Sequence, residues 1–435
     1  MLTTLVLSFL LTPAFADDSG TSDDGGGSEE APSNGELERR MDVLAGEVER
    51  LRIGDAALPA DEGVNGMGPA ASKVYRSDGG VTIGGYGEVK YHNYAAEDES
   101  GNDSGAVDGV DVHRVILYAG YRFNKKWVLN TEIEFEHVKE VYVEFAYLDY
   151  EASDAIGARV GLLLVPMGIS NELHEPTTYF SVDRPHTEKY ILPSTWREIG
   201  AGVYGDLGPI SYRAYLLDGM SAAGFSSKGI RGGRQKGAEA VAEDFAGVAR
   251  LDFVGAEGLV VGGSAYYGNS GQDLVNADSG AEPDVPTIIY EGHATLELAG
   301  LKLRALYAGA QLDDVKALNT ALALEGVDSV GESMQGYYVD LGYDVLRPFG
   351  VEGKSLVPHV RYESLNTQAT VPGGYESSDN RDRSNITAGL AFQPHTQLTL
   401  KADYQVHLNK GESGVNQLNG GIGFIFYGTE CSRSL

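Results

Sequence analysis

The sequence predicts an all-β fold, a closed antiparallel transmembrane barrel of about 16 strands preceded by a short coiled-coil helix. Three observations predict it. Polar and apolar residues alternate with period two along many segments after Gly80, these segments are about ten or more residues long, and the connections between them alternate between short and long. Up-and-down bacterial barrels combine these features, because their tight turns lie at one end and their long loops at the other.

The chain begins with a pattern typical of an export signal, predicted over residues 1–16. An apolar run from Leu5 to Leu11 leads into a small-x-small site that ends at Ala16 and is followed by two aspartates. The charged n-region is missing apart from the α-amino group, so a short buried helix is the alternative. No later apolar run approaches the roughly 18 to 20 residues that a spanning helix needs, so membrane insertion would have to use strands.

Between the signal and the barrel, the sequence predicts an acidic disordered spacer at 17–35, a coiled-coil helix at 36–53 and a loose linker at 54–79. The helix carries five apolar residues at alternating spacings of four and three, which is typical of an oligomerisation seam. They are Leu37, Met41, Leu44, Val48 and Leu51. An amphipathic helix that packs on its own barrel remains the alternative, since so short a helix is marginal alone.

Composition excludes several classes of function. The formal net charge of -30 makes nucleic acid an unsuitable partner, because no compact basic patch offsets it. The single cysteine, Cys431, allows no disulfide framework or cysteine metal site within one chain. No Gly-x-Ser-x-Gly elbow and no His-x-x-x-His pair occur, and the histidines are scattered, so no enzyme activity, cofactor or metal site is predicted.

The barrel is predicted over 80–428, with a tail at 429–435. Its clearest strand is 127–137, where Asn130, Glu132 and Glu134 alternate with Leu129, Ile133 and Phe135. A β-sandwich or propeller would also show period two, but neither requires every second connection to be long. The predicted strands are 80–95, 109–123, 127–137, 141–151, 156–166, 197–207, 210–219, 243–254, 258–268, 287–298, 301–312, 334–346, 355–365, 383–393, 396–408 and 414–427.

The polar face of these strands predicts a pore lining of mixed charge. With both signs facing water, such a lumen sorts solutes by charge and radius, although each group could equally be a solvated or salt-bridged wall residue. The predicted lining residues are Lys90, Arg114, Arg159, Arg213, Arg250, Lys302, Arg304, Arg361, Lys401, Glu132, Glu134 and Glu136.

Two long connections differ from the rest. The connection 167–196 is rich in aromatics and prolines, so it is predicted to fold into the barrel as a constriction, with an external cap on the rim as the alternative. The predicted constriction residues are Glu172, His174, Glu175, Asp183, Arg184, Glu188 and Lys189. The connection 220–242 is basic, and it could draw anions toward the mouth or be a disordered, solvated loop.

Three stretches resemble the phosphate-selective porin O and P family. They are Val-Thr-Ile-Gly-Gly-Tyr-Gly-Glu-Val-Lys-Tyr at 81–91, Leu-Leu-Val-Pro-Met-Gly at 163–168 and Trp-Arg-Glu-Ile-Gly-Ala-Gly-Val-Tyr-Gly at 196–205. The resemblance implies a homotrimer of sixteen-stranded channels, often preceded by a coiled coil. Two features depart from the family: the lumen holds about as many acids as bases, and the aromatic end of the last strand is followed by further residues.

Together these features predict a porin in the outer membrane of a Gram-negative cell, with its N-terminal extension in the periplasm. It would be a passive diffusion channel for small hydrophilic solutes and ions, with anions such as phosphate as a narrower expectation. Its partners would be outer-membrane lipid and two further copies of itself. The alternative is a structural or adhesive barrel with a plugged lumen, whose periplasmic extension binds the cell wall.

Overall fold

The computed structural model describes residues 63–427 apart from Ala277 and Ser279. It contains sixteen strands, which confirms the predicted number. Their bounds are β1 Gly80–Tyr94, β2 Gly109–Arg122, β3 Trp127–Glu136, β4 Glu140–Ser153, β5 Ile156–Leu164, β6 Arg197–Leu207, β7 Ile210–Asp218, β8 Phe245–Ala256, β9 Leu259–Asn269, β10 Pro286–Leu298, β11 Leu301–Leu312, β12 Ser333–Tyr343, β13 Ser355–Thr370, β14 Asp382–His395, β15 Leu398–Asn409 and β16 Gln417–Tyr427.

The sheet closes on itself. Every strand pairs antiparallel with its neighbours in sequence, and β1 pairs with β16 from Gly84 opposite Tyr427 to Tyr94 opposite Gln417. Closure leaves no strand with an unpaired edge, as a barrel in lipid requires. One end of the barrel carries mostly short turns and is called the short-turn end. The long connections lie at the opposite end, the long-loop end, together with two shorter connections at 137–139 and 410–416. The predicted fold class is therefore confirmed.

Side chains alternate between the outside of the barrel and its interior, which we call the lumen. In β3, Asn130 is 1 % exposed, Glu132 is 0 % exposed and Phe135 is 43 % exposed. Large apolar side chains on many other strands are exposed in the same way, for example Leu117 and Ile422. The barrel thus turns an apolar surface outward and polar groups inward, the reverse of a soluble protein.

Helices occur only outside the strands. Helix α1 spans His186–Tyr190 and helix α2 spans Val315–Ala321. Short 3-10 turns lie at Ala71–Arg76, Ala222–Gly224, Arg231–Gly233, Gly326–Asp328, Arg347–Phe349 and Asp379–Arg381. Among the described residues, no helix has the length and apolar character needed to cross a membrane.

Residues 63–79, which we call the inner segment, are not the loose linker that the sequence predicts. Its 3-10 turn packs against β1, β2 and β3, and Met67, Ala70 and Val74 are buried there. Met67 and Ala70 precede the 3-10 turn and Val74 lies within it, so both parts of the inner segment contribute apolar contacts. The predicted signal, spacer, coiled coil and C-terminal tail lie outside the described residues.

Candidate functional site

The structure places the predicted lining residues on the inner face of the strands. Most are buried, including Arg114, Arg159 and Arg361, whereas the side chains of Lys302 and Arg304 keep part of their exposure. Many form ion pairs across neighbouring strands. Arg159 lies 2.8 Å from Asp149, and Arg114 lies 3.4 Å from Glu88. The inner wall is therefore a set of paired charges, because opposite signs face each other between adjacent strands.

The connection between β5 and β6, residues 165–196, crosses the lumen, and we call it the lumen loop. Strand side chains bind its backbone from several directions: Arg114 of β2 donates to the carbonyl of His174 at 2.8 Å, and Arg250 of β8 donates to the carbonyl of Gly168. Lys401 of β15 donates to the carbonyl of Ser181 at 3.1 Å. A loop that is held by opposite sides of the barrel lies inside it. It is not a cap on the rim.

The first part of the lumen loop brings an acid to two arginines. Glu172 lies 3.3 Å from Arg213 and 3.7 Å from Arg250, and Asp252 also pairs with both arginines. Two carboxylates and two guanidiniums thus neutralise one another next to the loop. This cluster fixes the loop against β7 and β8, since charged groups in a buried site require partners.

Glu175 joins the lumen loop to the inner segment. Its carboxylate accepts hydrogen bonds from the backbone N–H of Ala70, at 2.9 and 3.1 Å, and of Ala71, at 3.1 Å. Burial raises the pKa of Glu175 to about 7, although the two backbone donors act in the opposite direction. His174 beside it lies 3.6 Å from Glu132. These two predicted constriction residues therefore meet in the interior, against a segment that the sequence analysis read as linker.

Asp183 lies nearer the long-loop end. Its carboxylate pairs with Lys90 at 3.2 Å and with His92 at 2.9 Å. Burial alone would raise the pKa of Asp183, but Lys90 and His92 hold it well below the usual range. Its side chain keeps 26 % exposure, so it is among the few charged groups of the loop that reach open space. Arg184, the next residue, has a buried Nη1 without a hydrogen bond among the described residues.

The last two predicted constriction residues have different positions. Glu188 is fully buried and accepts hydrogen bonds from the backbone N–H of Ser170 at 2.6 Å and from the hydroxyl of Tyr338, also at 2.6 Å. Its oxygens are occupied by the loop itself and by β12, so Glu188 braces the loop. Lys189 is exposed. Glu188 and Lys189 are adjacent in the sequence, and nothing in the sequence indicated that one stabilises the loop and the other is exposed.

A second long connection, 219–244, is also packed, so the prediction of a disordered, solvated loop was wrong. Met220 and Ile230 are buried, and Arg234 donates to the carbonyls of Pro193, at 3.3 Å, and Thr195 in the lumen loop. These buried apolar residues hold the cations of the connection beside the lumen loop. The basic composition of the connection gave no sign of them.

Basic side chains from the two loops gather near the long-loop end. Burial, together with the positive charges of Arg234 and Arg184, lowers the pKa of Arg231 to about 9. A guanidinium is charged under all ordinary conditions, so this direction means that Arg231 is partly shielded from water and lies close to other cations. We call Arg184, Arg231 and Arg234 the basic cluster.

The inner segment is the part of the site that sequence reasoning missed. Arg122 donates to the carbonyl of Tyr75 at 2.9 Å, and Asn130 donates to the carbonyl of Ala71 at 3.0 Å. The hydroxyl of Tyr75 donates to Asp149 at 2.6 Å. The segment enters from the short-turn end, where β1 begins, and binds the walls of β2, β3 and β4. The lumen is thus occupied by two elements, one from each end.

Little open space remains between these elements. Inward-facing charged residues at several heights are almost fully buried, among them Glu132, Arg361 and Asp403. Accessible charged pairs occur toward both ends: His92 with Asp183, and Lys302 with Glu297 near the short turn at 299–300. In a wide water-filled pore the intervening groups would be exposed, so the described residues define a narrow lumen.

Comparison with solved structures finds the same fold in outer-membrane proteins. A loop L8 deletion mutant of OmpT of Vibrio cholerae matches with a TM-score of 0.52 and 12% identity, over 80% of this chain and 100% of that chain. Salmonella typhi OmpF, in a complex with daunomycin, matches with a TM-score of 0.51 and 14% identity, over 80% of this chain and 97% of that chain. At such low identity these likenesses establish the barrel fold.

No family model matches the chain. Its sequence is 38% identical over 372 residues to an uncharacterized protein of Aquifex aeolicus (strain VF5), and the match covers 82% of each chain. This identity extends over most of both proteins, so it reaches well beyond a shared motif. The chain therefore belongs to the same protein family as this uncharacterized protein of Aquifex aeolicus.

Proposed function

We propose that the chain is a porin-type channel of the outer membrane that passes small hydrophilic solutes and ions, and that it is not an enzyme. The observation that carries the proposal is the closed sixteen-stranded barrel with an apolar outer surface and charged groups along its interior. Such a surface is stable in lipid, and charged groups around a water path sort ions by sign and size. Likeness in fold to outer-membrane proteins supports this location.

Anions, including phosphate, are the solutes that the charges favour. Several acids in the wall are paired, as in Asp149 with Arg159 and Glu144 with Arg197, and these contribute little net field. The basic cluster forms no ion pair among the described residues, and guanidiniums bind oxyanions well. Acids of the other long loops are more exposed, and salt therefore screens them more strongly than the half-buried cluster. The resemblance to the phosphate-selective porin family agrees with this preference.

Planar-bilayer recording tests both parts of the proposal. The purified full chain should give discrete conductance steps, and the reversal potential across a salt gradient should indicate a preference for anions. Replacing Arg231 and Arg234 with serine should shift that potential toward cations. Replacing Arg347, an exposed arginine at the short-turn end, with serine is the matched control and should leave the potential unchanged. A preparation that stays silent, or one that prefers cations, contradicts the proposal.

The filled lumen favours a second candidate, a structural barrel plugged by its own chain. Its inner segment would then hold the barrel closed, while the residues that precede it bind the cell wall. Recording from a variant that lacks residues 63–79 separates the candidates. If the full chain is silent and only the deletion conducts, the barrel is a plugged one. If both the full chain and the deletion variant conduct, the porin hypothesis is supported, and the deletion variant should give the larger conductance steps.

The proposal includes a homotrimer with its N-terminal extension in the periplasm. The apolar heptad positions of 36–53 support it, although they lie outside the described residues. Replacing Leu44 with lysine would place a charge in the seam. We expect this variant to shift the species measured by light scattering in detergent from trimer to monomer while the strand signal in circular dichroism is kept. A monomeric wild-type chain would contradict the trimer.

A further inference from the structure

One cluster of metal-ligating side chains is not explained by a channel. Asp111 and His113 belong to β2, and His137 follows the last residue of β3. Pairing of β2 with β3 brings them together at the long-loop end, where Arg114 lies opposite Glu136 and the backbone N–H of His137 donates to the carbonyl of His113 at 3.4 Å. The sequence predicted no metal site, because these histidines are far apart along the chain.

A β-bulge helps to form the cluster. In the pairing of β1 with β2, Arg114 lies opposite Glu88 and Val112 lies opposite Val89, so His113 is an extra residue without a partner in β1. Bulges redirect side chains, and this one brings the imidazole of His113 to the same place as the carboxylate of Asp111, two residues earlier. The position of this bulge could not be predicted from the alternation of residues in the sequence.

The geometry of the cluster suits a metal ion. Asp111 Oδ2 lies 2.6 Å from Nδ1 of His137 and 3.9 Å from Nδ1 of His113. One donor atom from each residue lies within 4.8 Å of the others. Two imidazoles and one carboxylate form a donor set typical of Zn²⁺ and other divalent transition metals. With bonds of about 2.0 to 2.2 Å, the donors need only small side-chain movements to close on an ion.

The three side chains are also available. His113 is 25 % exposed, and Asp111 and His137 are 38 % and 42 % exposed. No hydrogen bond from another described residue occupies the ring nitrogens of His113. Two of the nearby cations are paired: Lys90 lies 3.7 Å from Glu88 and 3.2 Å from Asp183, and Arg114 lies 3.4 Å from Glu88. Arg184 of the basic cluster also acts on His113. An arriving metal ion therefore meets a carboxylate and two imidazoles beside two paired cations and one cation without an ion pair among the described residues.

We propose that Asp111, His113 and His137 bind one divalent transition metal ion at the long-loop end of the barrel, with water completing its coordination. The ion would link β2 to the turn after β3. It would also place two positive charges beside the mouth of the lumen. Neither the fold nor the proposed passage of solutes requires this site, so it stands or falls independently of them.

Equilibrium dialysis with Zn²⁺ tests the site in the full chain, purified in detergent after treatment with a chelator. Cys431 is replaced with serine in every sample, so that its thiol cannot compete. We expect one ion per chain. Removal of a side chain that binds the ion directly should weaken binding by at least about tenfold, since changes to residues that only support the ligands often cost about 10- to 100-fold. The variants are His113→Ala and His137→Ala, and the control is His395→Ala, which alters an exposed histidine near a short turn.

A second measurement needs no variant. Co²⁺ bound to the wild-type chain should give the intense visible absorption of a four- or five-coordinate ion, in place of the weak absorption of hydrated Co²⁺. Loss of zinc binding in both histidine variants, with retention in the control, supports the site. Zinc binding that survives both variants, or a wild-type chain that takes up neither ion, overturns the proposal. Circular dichroism and heat-modifiable migration on gels check that each variant is folded.

Discussion

Replacement of Glu175 with alanine should release the inner segment from the lumen loop. The carboxylate accepts hydrogen bonds from the backbone N–H groups of Ala70 and Ala71, and both donors are buried. A hydrogen bond to a charged group contributes about 1.5 to 3 kcal/mol, so two donors correspond to about 3 to 6 kcal/mol. Burial of the carboxylate raises its pKa from 4.5 to about 7, and at about 1.4 kcal/mol for each pKa unit this offsets about 3 kcal/mol where the group is ionised. We therefore expect a net loss of about 1.4 kcal/mol at pH 8.

At about 1.4 kcal/mol for each factor of ten, this loss lowers the ratio of docked to undocked segment about 10-fold. Amide hydrogen exchange read by mass spectrometry measures this ratio, because exchange of residues 63–79 requires opening. Exchange at pH 8, where Glu175 is mostly ionised, should become about 10 times faster. Glu257→Ala, an exposed turn variant, should change nothing. If exchange in Glu175→Ala equals that of the wild type, the segment is not held by this carboxylate.

Three further outcomes follow from the same contacts. Because the pKa of Glu175 is raised from its ordinary value of 4.5 to about 7, docking of the inner segment should be strongest below pH 4.5 and weaken as the pH rises through about 7. Hydrogen exchange of residues 63–79, corrected for its intrinsic pH dependence, should follow this profile, and a flat profile would argue against it. Gly120→Ala would place a Cβ 2.6 Å from Val74, so the inner segment should be displaced and single-channel conductance should rise. Unchanged conductance would mean that the inner segment does not limit the ion current. Asp183→Asn removes an accessible acid and leaves Lys90 with one fewer partner. Since a unit charge about 4 Å away contributes about 1 kcal/mol in water, the anion preference measured by reversal potentials should increase about fivefold. A shift toward cations would refute this.

The barrel could be predicted because its signals are local and repeated. In β3 each residue alternates between lipid-like and polar surroundings, and the short turn at 123–126 and the long connection at 165–196 each mark an end of the barrel. A barrel strand keeps one face toward the outside and the other toward the lumen along its whole length, so the alternation of polar and apolar residues in the sequence matches the two surfaces. The aromatic and proline content of the lumen loop likewise indicated that it packs.

The contents of the lumen were harder to predict. Met67, Ala70 and Val74 are three apolar residues in a short segment without a regular repeat, and such a segment cannot be told from a linker unless the surface that it covers is known. Glu188 has the same residue type as other predicted constriction residues, but its role depends on Ser170 and Tyr338, which are brought to it only by tertiary contacts. Inferences of this kind need distances between segments that are far apart in sequence.

The pairing of β1 with β16 has a consequence for assembly. Gly84 and Tyr427 are neighbours in the ring but lie near opposite ends of the barrel sequence, so the last seam cannot form until nearly the whole chain has been synthesised. Until then two strands keep unsatisfied backbone groups, which invite pairing with other chains. Contacts of such long separation also form slowly. The seam between β1 and β16 is therefore the last part of the ring to close, and these two strands stay open to pairing with other chains until then.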